Sequence, residues 1–193
     1  MDKTLSYLKT LLRPNDTIVI GVSTGPDSMC LLTLLEGLQS SLSLKIIVAH
    51  VNHQVRKEST EEENFIKDYC LKQNLICEVY HLPSITGNFE AEARKKRYQF
   101  FQKLIIKYQA KYLFTAHHGD DLIETILMRE IRGSNLKGYA GIELVSDYKT
   151  YKLVRPLLFY SKADILAYLK GCKIPYYIDN TNFSDSHFRN RLR

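Results

Sequence analysis

The chain predicts an α/β fold, a doubly wound parallel sheet of five strands in one domain. Three observations carry that expectation. Strand-like and helix-like segments alternate along the chain. Its 193 residues suit one domain on a scale of ~100–200 residues per domain. An apolar run from Ile18 to Val22 breaks into a small-residue turn that opens a helix, as at a βα junction.

The N-terminal MDKTLSYLKTLL is an amphipathic pattern, not a signal peptide. Strands are expected over Thr17–Val22, Lys45–His50, Ile76–Tyr80, Tyr112–Thr115 and Tyr151–Arg155, from their apolar and β-branched content. Helical spacing predicts Ser28–Leu38, Thr60–Gln73, Phe89–Tyr108, Leu122–Ile131 and a last helix near Lys162–Lys170. Strand order 3-2-1-4-5 places the switch point between the first and fourth strands, and ligands bind there, at the strand C-termini. No repeat, low-complexity tract or linker divides the chain.

Hydrophobic content of 45% and charged content of 25% are ordinary for a globular protein. No apolar run is long enough to span a bilayer, so a cytoplasmic protein is expected. Cys30, Cys70, Cys77 and Cys172 form no C-x-x-C pair. That disfavours a zinc knuckle or redox motif, and the thiols read as small buried hydrophobes. A net charge of +6 leans towards a polyanionic partner without identifying one.

Chemistry concentrates in two turns. In the first, Ser23-Thr-Gly-Pro-Asp-Ser28, a helix start leaves backbone N–H groups unpaired at the positive end of the helix dipole, a site for phosphate. Ser23 and Ser28 add hydroxyls, Gly25 lets an anion approach, and Pro26 fits an opening helical position. No Gly-Lys-Ser/Thr closes the turn and it is not G-x-G-x-x-G, so neither a Walker loop nor a dinucleotide fingerprint is present. The β-branched Thr24 is expected to keep a negative φ. An ordinary βα turn is the plainer alternative.

The second turn runs from Thr115 through His117, His118, Asp120, Asp121 and Glu124 to Thr125. The three carboxylates can share one helical face. Capping and dipole effects explain one acidic residue in a first helical turn easily and three poorly. Beside a phosphate loop such charges need a cation, either Mg²⁺ or the ammonium of a second substrate; Asp27 raises the same question. A helix start favours neutral imidazole, so His117 or His118 could donate to phosphate or accept a proton. On the helix beginning at Phe89, Arg94 and Arg97 fall on apolar stripes and are expected to face inward towards an anion. Lys95 and Lys96 read as the solvent side.

The first turn resembles the PP-loop, S-G-G-x-D-S, of the ATP pyrophosphatases, whose fold is adenine nucleotide α-hydrolase-like. Thr24 replaces its first glycine. Further stretches narrow the resemblance to the N-terminal catalytic domain of the tRNA(Ile)-lysidine synthetases. They are Ala49-His-Val-Asn-His53 with Arg56, Glu92-Ala-Arg94 through Arg97-Tyr98, the Ala116–Thr125 turn, Arg132-Gly133, Arg155-Pro-Leu157 and Phe188–Arg193. The resemblance implies ATP-dependent transfer of free L-lysine to C2 of the wobble cytidine of an isoleucine tRNA, with release of AMP and pyrophosphate. It implies that Ser23, Thr24, Gly25, Pro26, Asp27 and Ser28 hold ATP, and that Asp27 and Asp121 meet Mg²⁺. Asp120, Asp121 and Glu124 would manage metal and lysine ammonium, while Arg94, Arg97, His117 and His118 offset phosphate charge. RNA contacts are expected from Arg189, Arg191 and Arg193, from Arg132 and Lys137, and from Lys95 and Lys96. Family members commonly continue into tRNA-gripping domains that are absent from this chain. A homodimer is one option for its oligomeric state. The alternatives are a tRNA 2-thiolation enzyme, disfavoured by the missing C-x-x-C, and a non-catalytic ATP-binding module, disfavoured by the acidic face.

Overall fold

The residue alternation of the first strand decides the layering. In a computed structural model describing residues 1–54, 58–85, 87, 89–131, 133 and 141–177, strand β1 (Thr17–Gly21) points Ile18 and Ile20 into one core and Val19 into the other. With both faces covered, the strand reads as a continuous apolar run.

The order continues with α1 (Asp2–Leu11) ahead of β1, then α2 (Pro26–Leu42), β2 (Lys45–Asn52), α3 (Glu58–Lys72) and β3 (Ile76–His81). After them come α4 (Phe89–Tyr108), β4 (Tyr112–Phe114), α5 (Gly119–Ile131), β5 (Val145–Asp147) and β6 (Lys152–Val154). A short 3-10 helix, Pro156–Phe159, leads into α6 (Lys162–Cys172). The sheet order is β3-β2-β1-β4-β6-β5. β1 pairs in parallel with both β2 and β4, so the switch point lies between the first and fourth strands, as the sequence predicts.

The larger core gathers Leu8 of α1, Leu31 and Leu35 of α2, Ile66 of α3 and Ile165 and Leu169 of α6. The opposite face is covered mainly by α4, through Phe100, Phe101, Leu104 and Ile105. Each fully buried aliphatic or aromatic side chain contributes about 1.5–3 kcal/mol. At Gly21 an added Cβ would lie 2.8 Å from the Phe101 ring, so this glycine lets α4 seat against the end of β1.

Two expectations need correction here. The sheet has six strands, not five: β5 is a three-residue edge strand antiparallel to β6. It is held by backbone pairing and by Arg155 Nη1 donating to the Glu143 carbonyl (2.7 Å) and Ser146 Oγ (3.0 Å). Nothing in Val-Ser-Asp announces a strand. The cysteines also differ from expectation, since Cys30 and Cys70 are buried but Cys172 is exposed at the end of α6. Among the described residues no helix is long and apolar enough to cross a membrane.

Candidate functional site

Three helix N-termini meet beyond the C-terminal ends of β1 and β4. Asp27 lies in the first turn of α2, Asp120 and Asp121 in the first turn of α5, and Lys162 is the first residue of α6. Each helix start brings unpaired N–H groups and a positive dipole end.

The loop between β1 and α2 is internally hydrogen-bonded. Val22 N–H donates to the Ala49 carbonyl, continuing the β1–β2 ladder. Ser23 N–H donates to Ser28 Oγ (3.2 Å), and Ser28 Oγ donates to the Gly25 carbonyl (3.0 Å). Gly25 caps α2 at φ −67°, with Pro26 in the first turn. The expectation of a negative φ at Thr24 is overturned: its φ is +66°. Surrounding contacts impose this left-handed backbone on a β-branched residue. Thr24 is fully buried, its Oγ1 donates to the Ser23 carbonyl at 2.5 Å, and its carbonyl accepts the Tyr177 N–H at 3.0 Å. The conformation accounts for the glycine that the PP-loop pattern has at this position.

His118 is the hub of the second turn. It is buried, with Nε2 3.6 Å from Asp121 Oδ2 and 3.9 Å from Asp27 Oδ2, and Nδ1 3.9 Å from Asp120 Oδ2. None of these is a hydrogen bond, and Nδ1 is left without a partner, an arrangement that buried polar atoms rarely tolerate without a ligand or water. The carboxylates divide their tasks. Asp121 Oδ2 accepts the His118 N–H (3.1 Å), a cap on α5. Asp120 Oδ2 accepts the Lys162 N–H (2.9 Å). Glu124 is buried on the same helix. Gly119 N–H donates to the Tyr160 carbonyl at 2.7 Å, and a Cβ on Gly119 would lie 2.8 Å from that oxygen. Glycine here lets α5 and the approach to α6 touch backbone to backbone.

A cationic flank adjoins this centre. His117 Nδ1 lies 3.1 Å from Thr115 Oγ1. Burial first, then Arg155, Arg94 and Arg97, pull its pKa down to about 4 against an opposing Asp121, so the ring is neutral at pH 7. Arg97 is half-buried and burial lowers its pKa. Arg94 departs from expectation. It is exposed, with its guanidinium 5.0 Å from the centre of the Tyr98 ring, because Tyr98 offers a cation–π platform at the rim. Lys95 is solvent-facing beside Glu92, and Lys96 is half-buried. Arg56, Arg132, Lys137 and the Phe188–Arg193 stretch lie outside the described residues.

Sequence reasoning missed Lys162, whose Nζ lies 2.5 Å from Asp27 Oδ1. It also missed His50, buried on β2, whose Nδ1 lies 2.9 Å from the Val22 carbonyl just before the loop. A signal for Lys162 was present. Ser161-Lys-Ala-Asp164 is a capping box that fixes a lysine at a helix start, where the dipole disfavours a cation unless an anion faces it.

Among the described residues no preassembled group of three or more His, Cys, Asp or Glu could hold a metal. A Mg²⁺ taken up by Asp27 or Asp121 would need most of its ligands from oxygens other than these side chains.

Comparison with known proteins gives a consistent family. The PP-loop domain family matches residues 2–193. The chain is similar to proteins named tRNA(Ile)-lysidine synthase. With that of Enterococcus faecalis it shares 42% identity over 183 residues, covering 94% of this chain and 40% of the relative. With that of Geobacillus kaustophilus the figures are 39% over 202 residues, 100% and 44%. The chain thus spans about two fifths of the length of these relatives. Its fold resembles a U34-tRNA thiolase, NcsA, from Methanococcus maripaludis, with a TM-score of 0.82 at 19% identity over 99% of this chain and 69% of the other. A Candida glabrata FMN adenylyltransferase is more distant, with a TM-score of 0.56 at 18% identity over 87% of this chain and 55% of the other.

Proposed function

Because the chain belongs to the PP-loop domain family, we propose that it carries the chemistry of a tRNA(Ile)-lysidine synthase in the cytoplasm. It would join free L-lysine to C2 of the wobble cytidine of an isoleucine tRNA at the expense of ATP. The observation that supports this best is the 39–42% identity to synthases of that name along nearly the whole chain. Fold likeness to a thiolase speaks only to the scaffold.

In the reaction, the C2 oxygen of cytidine attacks the α-phosphorus of ATP. The bond to the oxygen bridging the α and β phosphates breaks, and pyrophosphate leaves. The ε-amine of lysine then attacks C2 and loses a proton, and AMP departs with the former C2 oxygen. The Ser23–Ser28 loop binds the triphosphate at the α2 N-terminus through backbone N–H groups and serine hydroxyls. That requires Ser23 N–H and Ser28 Oγ to exchange their mutual bond for phosphate. Arg94, Arg97 and His117, which is held neutral by its surroundings, would offset the charge that develops on the phosphates. His118 and the carboxylates of Asp120, Asp121 and Glu124 form the acidic wall that would receive the lysine ammonium and accept its proton. Asp27 and Asp121 would be the carboxylates to hold Mg²⁺, which would supply charge neutralisation at the phosphates.

Incubation with ATP, ¹⁴C-lysine and isoleucine tRNA tests the reading. Label transferred to tRNA with equal AMP and pyrophosphate supports it. ADP as the product removes the pyrophosphatase assignment, and incorporation from a sulfur donor instead of lysine replaces it with thiolation.

A further inference from the structure

We propose that Lys162 is a resident counter-cation of the nucleotide site. It holds Asp27 in the nucleotide-free protein and moves onto a phosphate oxygen when a divalent cation claims that carboxylate. The inference rests on the ATP reading of the loop and adds to it a residue that the PP-loop pattern does not contain.

The geometry differs from an ordinary surface ion pair, in which two mobile side chains meet and contribute about 0–1 kcal/mol. The backbone of Lys162 is fixed three ways. Ser161 and Asp164 close a capping box around it, with Ser161 N–H on Asp164 Oδ2 at 2.9 Å and Asp164 N–H on Ser161 Oγ at 3.2 Å. Its own N–H donates to Asp120 Oδ2 at 2.9 Å. Two residues earlier, Tyr160 is pinned to Gly119. From that anchored base a four-carbon stem delivers the ammonium to Asp27 Oδ1 at 2.5 Å. The same residue therefore engages the first-turn aspartates of both α2 and α5.

Charge explains why a cation is needed there. Asp27, Asp120 and Asp121 ring His118 within 4 Å. Without a counter-charge, Asp27 would repel the triphosphate that the loop is shaped to receive. A lysine suits a temporary role, since its three donors and flexible stem can exchange one oxygen for another. Were Asp27 taken up by a divalent cation, the Lys162 ammonium would be released and free to reach a phosphate oxygen.

The test compares ATP binding to the unaltered chain and to Lys162→Met, Lys162→Gln and Lys162→Arg by calorimetry, in EDTA and across a Mg²⁺ titration at fixed ATP. In EDTA, the Met and Gln variants should bind ATP about tenfold more weakly, because the Asp27 carboxylate then faces the triphosphate with its charge uncompensated. Arg should restore affinity to within about threefold, because it keeps the charge. The Mg²⁺ midpoint should fall several-fold in Met and Gln, with no ammonium to displace. Equal EDTA affinity and equal Mg²⁺ midpoints in all four proteins overturn the proposal and leave Lys162 as a surface ion pair. Melting curves verify that each variant is folded. An unaltered protein that binds no ATP overturns this proposal and the functional reading together. One that binds ATP but transfers no lysine overturns only the latter.

Discussion

Thr24 offers a direct reading of the loop, through the difference between its glycine and alanine variants. At φ +66° an L residue bears about 1–2 kcal/mol of left-handed strain. Thr24→Ala keeps that strain. It loses the Oγ1 bond to the Ser23 carbonyl, about 1 kcal/mol, and a buried methyl, about 0.8 kcal/mol. The expected cost is therefore about 2 kcal/mol, or about 4–8 °C in Tm for a domain of this size. Thr24→Gly loses those groups and the buried Cβ as well, about 0.8 kcal/mol more, and adds about 0.5–1 kcal/mol of unfolded-state entropy, but it releases the strain. The two variants should therefore melt within about 1–2 °C of each other. At an ordinary negative φ no strain is released, and alanine would outrank glycine by about 1.5 kcal/mol, or about 3–6 °C. Differential scanning calorimetry of both variants in nucleotide-free buffer measures the gap. An alanine variant melting about 3 °C or more above the glycine variant would refute a left-handed Thr24 and the clasp that enforces it.

Asp121→Asn should keep Tm nearly unchanged, because asparagine still caps α5 at His118 N–H, yet slow lysine transfer by about two to four orders of magnitude. Radiolabel incorporation near the unaltered rate would show that this carboxylate only starts a helix. Gly119→Ala drives a Cβ to within 2.8 Å of the Tyr160 carbonyl, so a thermal melt should show destabilisation of about 1–3 kcal/mol; an unchanged Tm contradicts the backbone contact. His117 is held neutral down to about 4, below the usual histidine range. The unfolded chain therefore binds more protons between about pH 6.5 and pH 4, and stability falls as pH is lowered through that window. Urea titrations should show a shallower decline for His117→Asn, and parallel curves would refute the assignment.

What could be read from the sequence follows the range of the interactions involved. The sheet, its switch point and both loaded turns announce themselves through local alternation and small residues, and the structure places both turns at the ends of β1 and β4. The Lys162–Asp27 pair spans 135 residues of chain, so no window containing one contains the other. Thr24 was misjudged for a similar reason. Its intrinsic preference is overridden by Tyr177, which arrives from the far end of the described chain. Arg94 fits an apolar stripe by spacing, but the nearby Tyr98 ring draws it to the surface.

The bond from Tyr177 N–H to the Thr24 carbonyl has a consequence for synthesis on the ribosome. β1 and its loop emerge early, and their partners β2 and β4 follow, so the sheet can assemble while the clasp is still in the exit tunnel. Until Tyr177 is released, the strained turn lacks the bond that meets the Thr24 carbonyl. The nascent chain thus acquires its sheet before the turn after β1 is fully clasped, and that turn closes only when a segment made much later docks on one of the first.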